Sequence, residues 1–547
     1  MPYSLLFLTV FCIITTATSA VTHYLSVVVA CFSSANTNLM LHGSSHQDIL
    51  RGFRLIASIV AILIVSLSMP TAAATRLSEQ VHIVPAWVKD AVFYQIFPER
   101  FANGDPSNDP KDAEQWGGIP TTRNYFGGDL QGIIDRLDYI ASLGVNALYL
   151  NPIFESNSNH KYQTVDYMRI DPHFGDESTF RRLVDSCHAR NIRIILDGVF
   201  NHTGVGFFAF ADVKKNGAAS KYKEWYNFHS FPVGPVSKPN YDCWWNYGSL
   251  PKLMTANPEV RKYLFDVTRK WMSFGIDGWR LDVPNEISHE FWEEWRSLVK
   301  SINPEAYIVG EIWDDAGSWL RGDQFDAVMN YRFRDACVKF FAEESIAVSE
   351  FDERLSRQRS DYTVDVNYAL QNLLGSHDTE RFLTLCKQDE QTTHLAWLFQ
   401  MTYVGAPMVY YGDELGMTGG KDPECRGTMV WDEMKQNKTM LTTMQQLARM
   451  RNQYACLRRG EFQSILVDDT QRIYAFARTY GTEIGVVVIN NDTVAKEVAL
   501  PLNTADELRS WEQVWPTNQK IQTYKRKSLI ISVPAKAGVV CIGGDSE

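Results

Sequence analysis

Arg280 and Asp282 occupy alternate positions in a strand-like run, "DGWRLDV", at 277–283. Side chains two apart in a strand point to the same face, so the guanidinium and the carboxylate should lie side by side. A buried ion pair is costly unless it is well bonded, and one such pair could serve structure alone. A functional interpretation therefore needs other polar residues at the same place.

Polar residues follow several other strand-like runs in the same way. They are Asp197, Asn201 and His202 after one run, Glu286 after the run with Arg280, Glu311 and Trp313 after the next, and His377 and Asp378 after a later one. In a barrel of parallel strands the carboxyl ends meet at one rim, where side chains converge on a single site. The pattern predicts an active site at that rim.

These residue types suit glycoside hydrolysis, which needs one ionised carboxylate beside the anomeric carbon and one protonated carboxylic acid at the leaving oxygen. Arg280 should hold Asp282 ionised by charge pairing, as a nucleophile requires. Glu311 lies between apolar neighbours in the sequence, which favour its protonated form and fit an acid/base. Asp378 could bind sugar hydroxyls more tightly as the ring flattens in the transition state.

The elements that must position these residues alternate along the chain. Short apolar runs are separated by longer amphipathic segments, which predicts a closed (β/α)8 barrel. The runs cover 91–97, 147–154, 193–200, 277–283, 307–313, 326–331, 372–378 and 408–414. Between the first two, apolar residues at helical spacing over 130–144 predict one helix that ends at Gly144.

Changes in composition predict the domains. The barrel is expected at 76–202 and 255–457, with a subdomain at 203–254 inserted after the third strand, because that stretch is rich in Trp, Tyr, Asn, Gly and Pro. Alternating β segments over 458–547 predict a C-terminal antiparallel β-sandwich. The expected fold class is therefore α/β, a TIM barrel with an inserted subdomain and a C-terminal β domain.

The segment 1–75 is typical of a signal peptide or membrane-targeting segment. Two arginines precede an apolar run at 55–69, and small residues end at Ala74. The run is short for a spanning helix, which needs about 20 residues, so we expect a secreted or periplasmic protein rather than a membrane-anchored one. Translation would then start at Met40.

Charge and cysteine content exclude other classes of function. The net charge of −11 and the lack of a basic stripe argue against a nucleic acid partner. The cysteines after Ala74 are odd in number and lack CxxC spacing, so they indicate neither a zinc site nor a disulfide framework. In the insertion, Trp225, Trp244 and Trp245 could fill a core or stack on sugar rings.

Four ordered segments resemble the motifs of the α-amylase superfamily of retaining glycosidases. They are "DGVFNH" (197–202), "GWRLDVPNE" (278–286), "EIW" (311–313) and "SHD" (376–378). The resemblance extends over about residues 85–545 and implies that Asp282 is the nucleophile, Glu311 the acid/base and Asp378 the transition-state stabiliser. The substrate-binding residues it implies are His160, Tyr162, Asp197, His202, Arg280, Glu286, Trp313, His377 and Arg381.

Within this superfamily the chain is similar to the neopullulanase, cyclomaltodextrinase and maltogenic amylase group. "LPKL" (250–253) resembles the group's insertion signature. The resemblance implies α-1,4 cleavage of starch, maltooligosaccharides, pullulan or cyclodextrins, with transglycosylation and some α-1,6 cleavage. Gln163, Met254 and Pro284 depart from the group's pattern near the cleft, which leaves the preferred substrate open.

Two alternatives remain from the sequence. One is an oligo-1,6-glucosidase or α-glucosidase, which the LPKL segment disfavours. The other is a non-catalytic, membrane-anchored transporter subunit with an amylase-like barrel, which the intact acidic residues disfavour.

The resemblance also implies a structural calcium ion. The loop "NGDPSNDP" (103–110) crowds oxygen-bearing side chains, which calcium prefers, although such residues also form ordinary turns. The implied ligands are Asn103, Asp105, Asn108, Asp109, Gly127 and Asp129.

The short segment before the barrel bears on the expected oligomeric state. Many members of the group carry an extra N-terminal β domain that forms a dimer and narrows the cleft, whereas only Thr75–Ala86 separate Ala74 from Trp87 here. We therefore expect a monomer with an open cleft for α-glucan chains.

Overall fold

The computed structural model describes residues 84–501, 510–517, 519–520, 524–525 and 528–544. These residues belong to one compact unit, His82–Glu547. The expected targeting segment and the expected start at Met40 lie outside the described residues. In the part of the chain that is described, no helix has the length and apolar character needed to cross a membrane.

From residue 84 onwards, ten strands precede the C-terminal domain. In chain order they are β1 (Phe93–Ile96), β2 (Ala147–Leu150), β3 (Phe154–Ser156), β4 (Thr164–Ile170), β5 (Arg193–Gly198), β6 (Gly278–Leu281), β7 (Tyr307–Gly310), β8 (Ala327–Val328), β9 (Gln371–Leu373) and β10 (Ala406–Tyr410). All except β3 and β4 form one parallel sheet in the order β8-β7-β6-β5-β2-β1-β10-β9. A parallel bridge between Met329 and Gln371 joins its two outer edges and closes the barrel. The expected fold class is confirmed.

The strands end earlier than their apolar runs. Both faces of barrel strands are buried, so their sequences read as continuous apolar stretches whose ends have no clear signal. Glu311 therefore lies just after β7 rather than inside it. The run at 147–154 breaks after Leu150, and its last residue begins β3, which pairs with β4 in an antiparallel hairpin that the sequence did not predict.

Helices cover the barrel and connect its strands. They are α1 (Pro98–Phe101), α2 (Leu130–Asp135), α3 (Leu137–Ser142), α4 (Glu177–His188), α5 (Phe208–Asn216), α6 (Pro258–Met272), α7 (His289–Ile302), α8 (Tyr331–Cys337), α9 (Val348–Asp361), α10 (Val364–Ala369), α11 (Phe382–Leu385), α12 (Glu390–Thr402), α13 (Lys438–Gln453) and α14 (Ala455–Arg459). The single helix expected over 130–144 is instead α2 and α3, because Arg136 leaves helical geometry at φ −108° and ψ 8°.

The stretch between β5 and α6 is mostly irregular and has its own aromatic core. Phe210 packs against Tyr226 and Tyr241, and Trp225 is buried at 5% exposure. A bridge between His202 and Lys252 ties the end of this insertion to the end of β5. The insertion therefore lies beside the rim at which the polar residues were expected.

The C-terminal domain is a sandwich of antiparallel strands. They are β11 (Glu461–Asp468), β12 (Ile473–Tyr480), β13 (Glu483–Asn490), β14 (Lys496–Pro501), β15 (Ser510–Trp515), β16 (Gln519–Lys520), β17 (Tyr524–Lys525), β18 (Ser528–Val533) and β19 (Ala537–Gly544). One sheet has the order β11-β12-β13-β19-β15-β16 and the other β14-β18-β17. Apolar residues from both sheets, among them Val488 and Ile531, share one core.

The seven cysteines that follow Ala74 are all unpaired in the described residues. Cys243 is partly exposed, and the other six are buried. The domain cores described above therefore form without a disulfide.

Candidate active site

Strand register brings the polar residues together at the carboxyl ends of the barrel strands. In the β5–β6 pair Asp197 lies opposite Arg280, and in the β6–β7 pair Arg280 lies opposite Val309. Asp282 and Glu311 follow β6 and β7 directly, at the same rim. Neighbouring parallel strands thus converge on the arginine.

Arg280 is fully buried and is shared by three carboxylates. Its Nη1 lies 2.8 Å from Asp197 Oδ1 and 3.0 Å from Asp282 Oδ1, and its Nη2 lies 2.8 Å from Glu311 Oε2. A structural ion pair needs only one carboxylate, whereas this guanidinium contacts three. Such a surplus of buried acid is typical of functional sites, where neighbours are arranged to shift pKa values.

Asp282 and Glu311 differ in their hydrogen-bond donors. Burial raises the pKa of Asp282 well above its ordinary value, and Arg280 opposes that rise. Burial also raises the pKa of Glu311, but its carboxylate accepts hydrogen bonds from the Val283 N–H at 3.1 Å and the Trp313 Nε1–H at 3.1 Å. Burial therefore favours the protonated form of Glu311, as its apolar neighbours led us to expect, while the two N–H donors oppose that effect. Arg280 favours the ionised form of Asp282, as expected, but burial is the larger effect, and the same guanidinium also contacts Asp197 and Glu311.

Val283, directly after Asp282, has a strained backbone. Its φ of 35° and ψ of 50° are left-handed, a region that a β-branched residue adopts at a cost of about 1–3 kcal/mol. This conformation places the Val283 N–H against Glu311 Oε2. The strain thus lies at the contact between the two carboxylate-bearing segments.

Asp378 and His377 form the far side of the cluster. Asp378 Oδ1 lies 3.2 Å from Arg426 Nη2, and Asp378 Oδ2 lies 3.1 Å from His377 Nε2. Burial lowers the pKa of His377 well below its usual value, so the ring is neutral. Because Gln95 Nε2 donates to His377 Nδ1 at 2.8 Å, the proton of the neutral ring lies on Nε2.

Tyr162 connects these groups. Its hydroxyl donates to Asp197 Oδ2 at 2.8 Å, and its ring stacks on His377 with centroids 5.5 Å apart and planes at 5°. His160 lies near-parallel to the Tyr162 ring, with centroids 5.8 Å apart and planes at 27°, and burial lowers the His160 pKa to about 3. The three near-parallel rings thus lie beside Asp197 and Asp378.

His202 has an unsatisfied nitrogen. The residue is 2% exposed, and Nε2 has no hydrogen-bond partner, while Nδ1 faces Asn201 Nδ2 at 3.2 Å. Burial lowers the His202 pKa to about 4. A neutral imidazole with a free nitrogen can donate to or accept from a ligand hydroxyl.

Two residues expected to bind substrate have other partners. Arg381 is fully buried and donates to the Tyr411 and Cys425 carbonyls and to Asp413, contacts that hold these loops together. Its role in substrate binding stays a prediction. Glu286 is ion-paired with Lys252 of the insertion at 2.7 Å.

Four residues that complete the site were not predicted. Tyr149 donates to Asp197 Oδ2 at 2.7 Å, and Asn151 Nδ2 donates to the Tyr162 hydroxyl at 2.9 Å. Gln95 and Arg426 contact His377 and Asp378 as described above. Gln95 lies in β1 and Tyr149 in β2, where a polar group in an apolar run was a usable signal. Arg426 lies in a loop, where the sequence has no such signal.

A cavity of about 690 Å³ opens beside the cluster. Its walls include Trp313, Tyr331, Arg332, Glu353 and Arg357. Trp313 is 46% exposed and stacks on Tyr331 with centroids 3.7 Å apart. Trp313, whose N–H donates to Glu311, is the residue that this cavity shares with the carboxylate cluster.

The 103–110 loop has free oxygen atoms of the kind calcium binds. Asn103 Oδ1 and Asn108 Oδ1 are buried and unpartnered, and Asp109 Oδ1 accepts only from Asn103 Nδ2 at 2.7 Å. A Cβ on Gly127 would lie 2.3 Å from Asp109 Oδ1, so a glycine is required at this close approach. These residues fit a hard cation that accepts amide and carboxylate oxygens.

The remaining two expected ligands have other roles. Asp129 accepts four N–H donors, from Gly104, Asp105, Gly132 and Asn108, and so organises the loop. The exposed Asp105 carboxylate caps Ser107. Within the described ranges no group of three or more His, Cys, Asp or Glu side chains could hold a metal, so a cation here would depend on amide oxygens.

Enzymes that cleave glycosidic bonds combine barrels of this kind with carboxylates at one rim, and the protein is of that class. The chain belongs to the alpha-amylase family, because the model of the family's catalytic domain matches residues 95–458.

Similar proteins show which group of the alpha-amylase family the chain resembles. The chain is 54% identical over 421 residues to a cyclomaltodextrinase of Geobacillus thermopakistaniensis, covering 77% of this chain and 72% of that protein. It is 54% identical over 415 residues to neopullulanase 2 of Thermoactinomyces vulgaris, covering 75% and 71%. The ligand-free structure of cyclic alpha-maltosyl-(1→6)-maltose hydrolase from Arthrobacter globiformis is 41% identical with a TM-score of 0.78, covering 84% of this chain and 100% of that one. The chain is thus a glycoside hydrolase like cyclomaltodextrinases, neopullulanases and maltogenic amylases.

Proposed function

We propose that the protein hydrolyses α-1,4-linked glucans with retention of anomeric configuration, with Asp282 as nucleophile and Glu311 as acid/base. The observation that carries this is the bridge made by Arg280, whose two terminal nitrogens each contact one of these carboxylates. Carboxyl groups that share one guanidinium lie near each other, and a retaining mechanism needs a separation of about 5–5.5 Å between them.

The proposed reaction has two displacements. In the first, Glu311 gives its proton to the glycosidic oxygen while Asp282 attacks the anomeric carbon, the carbon–oxygen bond breaks, and a covalent glycosyl ester forms. In the second, ionised Glu311 takes a proton from water, whose oxygen attacks the same carbon and displaces Asp282. Transfer to a sugar hydroxyl instead of water gives transglycosylation.

Other site residues would hold the reacting glucose. Asp378 has 28% side-chain exposure, more than Asp282 or Glu311, so it is open to sugar hydroxyls. The Tyr162 ring offers a stacking face, and His202 Nε2 needs a partner. The cavity beside Trp313 has room for the leaving part of a chain.

The substrates we propose are starch, maltooligosaccharides, pullulan and cyclodextrins, on the strength of the relatives named above. The full coverage of the Arthrobacter hydrolase favours a second candidate, a small cyclic maltosyl substrate with α-1,6 links.

The test is a comparison of products. The purified protein is incubated separately with starch, pullulan, β-cyclodextrin and cyclic alpha-maltosyl-(1→6)-maltose, and the anomer formed first is read by NMR. We expect the α anomer, panose from pullulan, and loss of at least about 10³-fold in kcat for Asp282→Asn. A β anomer formed first would disprove retention, and cleavage of only the cyclic maltosyl substrate would favour the second candidate.

We also propose a structural calcium ion held by Asn103, Asn108, Asp109 and the Gly127 segment, an exported protein, and a monomer. The unpartnered amide oxygens support the first. The basic, apolar and small-residue order of 51–74 supports export, which N-terminal sequencing of protein from periplasm or medium would test.

A further inference from the structure

Three aromatic side chains of the insertion form a stack next to the active site. The rings of Trp244 and Trp245 are 5.3 Å apart with planes at 17°, and those of Trp244 and Tyr247 are 6.0 Å apart at 26°. We call these three residues the aromatic platform. Their near-parallel planes contrast with the edge-on contacts of the insertion core, where Phe210 meets Tyr226 at 79°.

The platform is exposed, unlike the insertion core. Trp245 is 73% exposed and Tyr247 57%, whereas Trp225 is 5% exposed. Trp245 and Asn246 also have left-handed backbones, at φ 46° and 62°. Two consecutive non-glycine residues in this region are unfavourable, and the conformation keeps a large apolar ring in water rather than burying it. The interpretation of core packing therefore holds for Trp225 and fails for Trp245.

The platform is continuous with the catalytic pocket. The inner face of Trp244 stacks on His202, with centroids 5.9 Å apart and planes at 27°. His202 is 2% exposed and its Nε2 lacks a partner, and the Trp244 Nε1–H is likewise buried and unpartnered. Rings and free polar atoms thus run together from the pocket to the surface.

We propose that the aromatic platform binds an α-glucan chain that extends from the catalytic pocket across the insertion, with Trp245 stacking on a sugar ring outside the pocket. Sugar rings have apolar C–H faces that match an indole face, and their hydroxyls can satisfy buried donors such as the Trp244 N–H. This proposal rests on the proposed function, because it assumes that the pocket holds a glucose of the same chain.

The kinetic test compares long and short substrates. Trp245→Ala should lower kcat/KM for soluble starch about tenfold, mainly through KM, and leave kcat/KM for maltotriose within about twofold. Trp245→Phe keeps a stacking face and should restore most of the starch activity. Met434→Ala removes another exposed apolar side chain, at 92% exposure. It is the matched control and should leave kcat/KM unchanged for both substrates.

A binding test separates this proposal from the proposed function. In the Asp282→Asn background, amylose binding is measured by calorimetry with and without Trp245→Ala, and no turnover is needed. We expect the second substitution to weaken amylose binding about tenfold. If amylose bound equally well with and without Trp245→Ala, the proposal for the aromatic platform would be wrong. It would also be wrong if Trp245→Ala lowered starch and maltotriose activity equally. A change in oligomeric mass with unchanged starch kinetics would assign the surface to a second copy of the chain instead.

Discussion

Arg280 sets the charge of the site because three carboxylates share its guanidinium. An arginine can do this since its planar group presents several donors in fixed directions, whereas a lysine is a point charge. Residue types and their order along the chain were sufficient to predict that these groups meet. The division of one charge among three acids was not predictable, because it depends on side-chain geometry across three strands.

Arg280→Lys therefore should inactivate the enzyme although the charge is kept. One ammonium group cannot bridge Asp282 and Glu311, so their spacing is lost, and we expect kcat to fall by about 10²-fold or more. Steady-state kinetics on maltotriose measure this, with circular dichroism to show that the fold persists. Nearly normal kcat in a folded variant would contradict the bridging role.

Trp313→Phe should move the pH profile. Burial raises the Glu311 pKa, and the Trp313 N–H opposes the rise by bonding the carboxylate. Without that donor the pKa rises further, and Glu311 keeps the proton it must donate to higher pH. The alkaline limb of kcat/KM should therefore shift to higher pH. Trp319→Phe is the control, since the Trp319 N–H has no hydrogen-bond partner; a shift to lower pH for Trp313→Phe would refute the argument.

At the scale of elements, the insertion is tied to the segment after β6. Lys252 and Glu286 form an ion pair at 2.7 Å, each about one-third exposed or less. The "LPKL" segment was noted from the sequence as a group signature and Glu286 as a substrate-binding residue, but their contact was not foreseen. It makes the insertion part of the support for Asp282.

A double-mutant cycle can separate this tie from direct substrate binding by Glu286. If Glu286 acts through Lys252, then Lys252→Met and Glu286→Gln should each lower kcat/KM modestly, and the double variant should be no worse than either. The coupling in kcat/KM should be about 0.5–1 kcal/mol. A full additional loss from Glu286→Gln in the Lys252→Met background would instead show that Glu286 contacts substrate.

The 103–110 loop is also a matter of how elements are held together, because it lies between α1 and α2. If it binds calcium, a chelator should lower the thermal midpoint of unfolding by several degrees, and added calcium should restore it. The double variant Asn103→Ala/Asn108→Ala should unfold at the same lowered midpoint as the chelated wild-type protein, whether or not chelator is present. Asn216→Ala, an exposed asparagine outside the loop, is the control; an unchanged midpoint on chelation would remove the calcium proposal.

For the whole molecule, the architecture was largely predictable and its details were not. Buried parallel strands produce continuous apolar runs, so all eight barrel strands were located. The β3–β4 hairpin was missed because its first strand continues an apolar run without a break in pattern. The break in the 130–144 helix was missed because it depends on the backbone at Arg136 rather than on periodicity.

The oligomeric state is a prediction at this scale. We expect light scattering after gel filtration to give the mass of one mature chain at micromolar concentration. If the cleft admits long chains, kcat/KM on starch and on β-cyclodextrin should be comparable. A dimer mass, or activity restricted to cyclodextrins, would count against the prediction.

Closure of the barrel has a consequence for its dynamics. The strands β8 and β9 are two and three residues long, and the Met329–Gln371 bridge that joins these edges is a single pair. Fewer ladder hydrogen bonds must break there than at β5–β6, where four residue pairs are in register. Transient opening of the cylinder would therefore begin at this seam, two residues before Tyr331 and close to the stacked Trp313, rather than among the strands that carry Asp197 and Arg280.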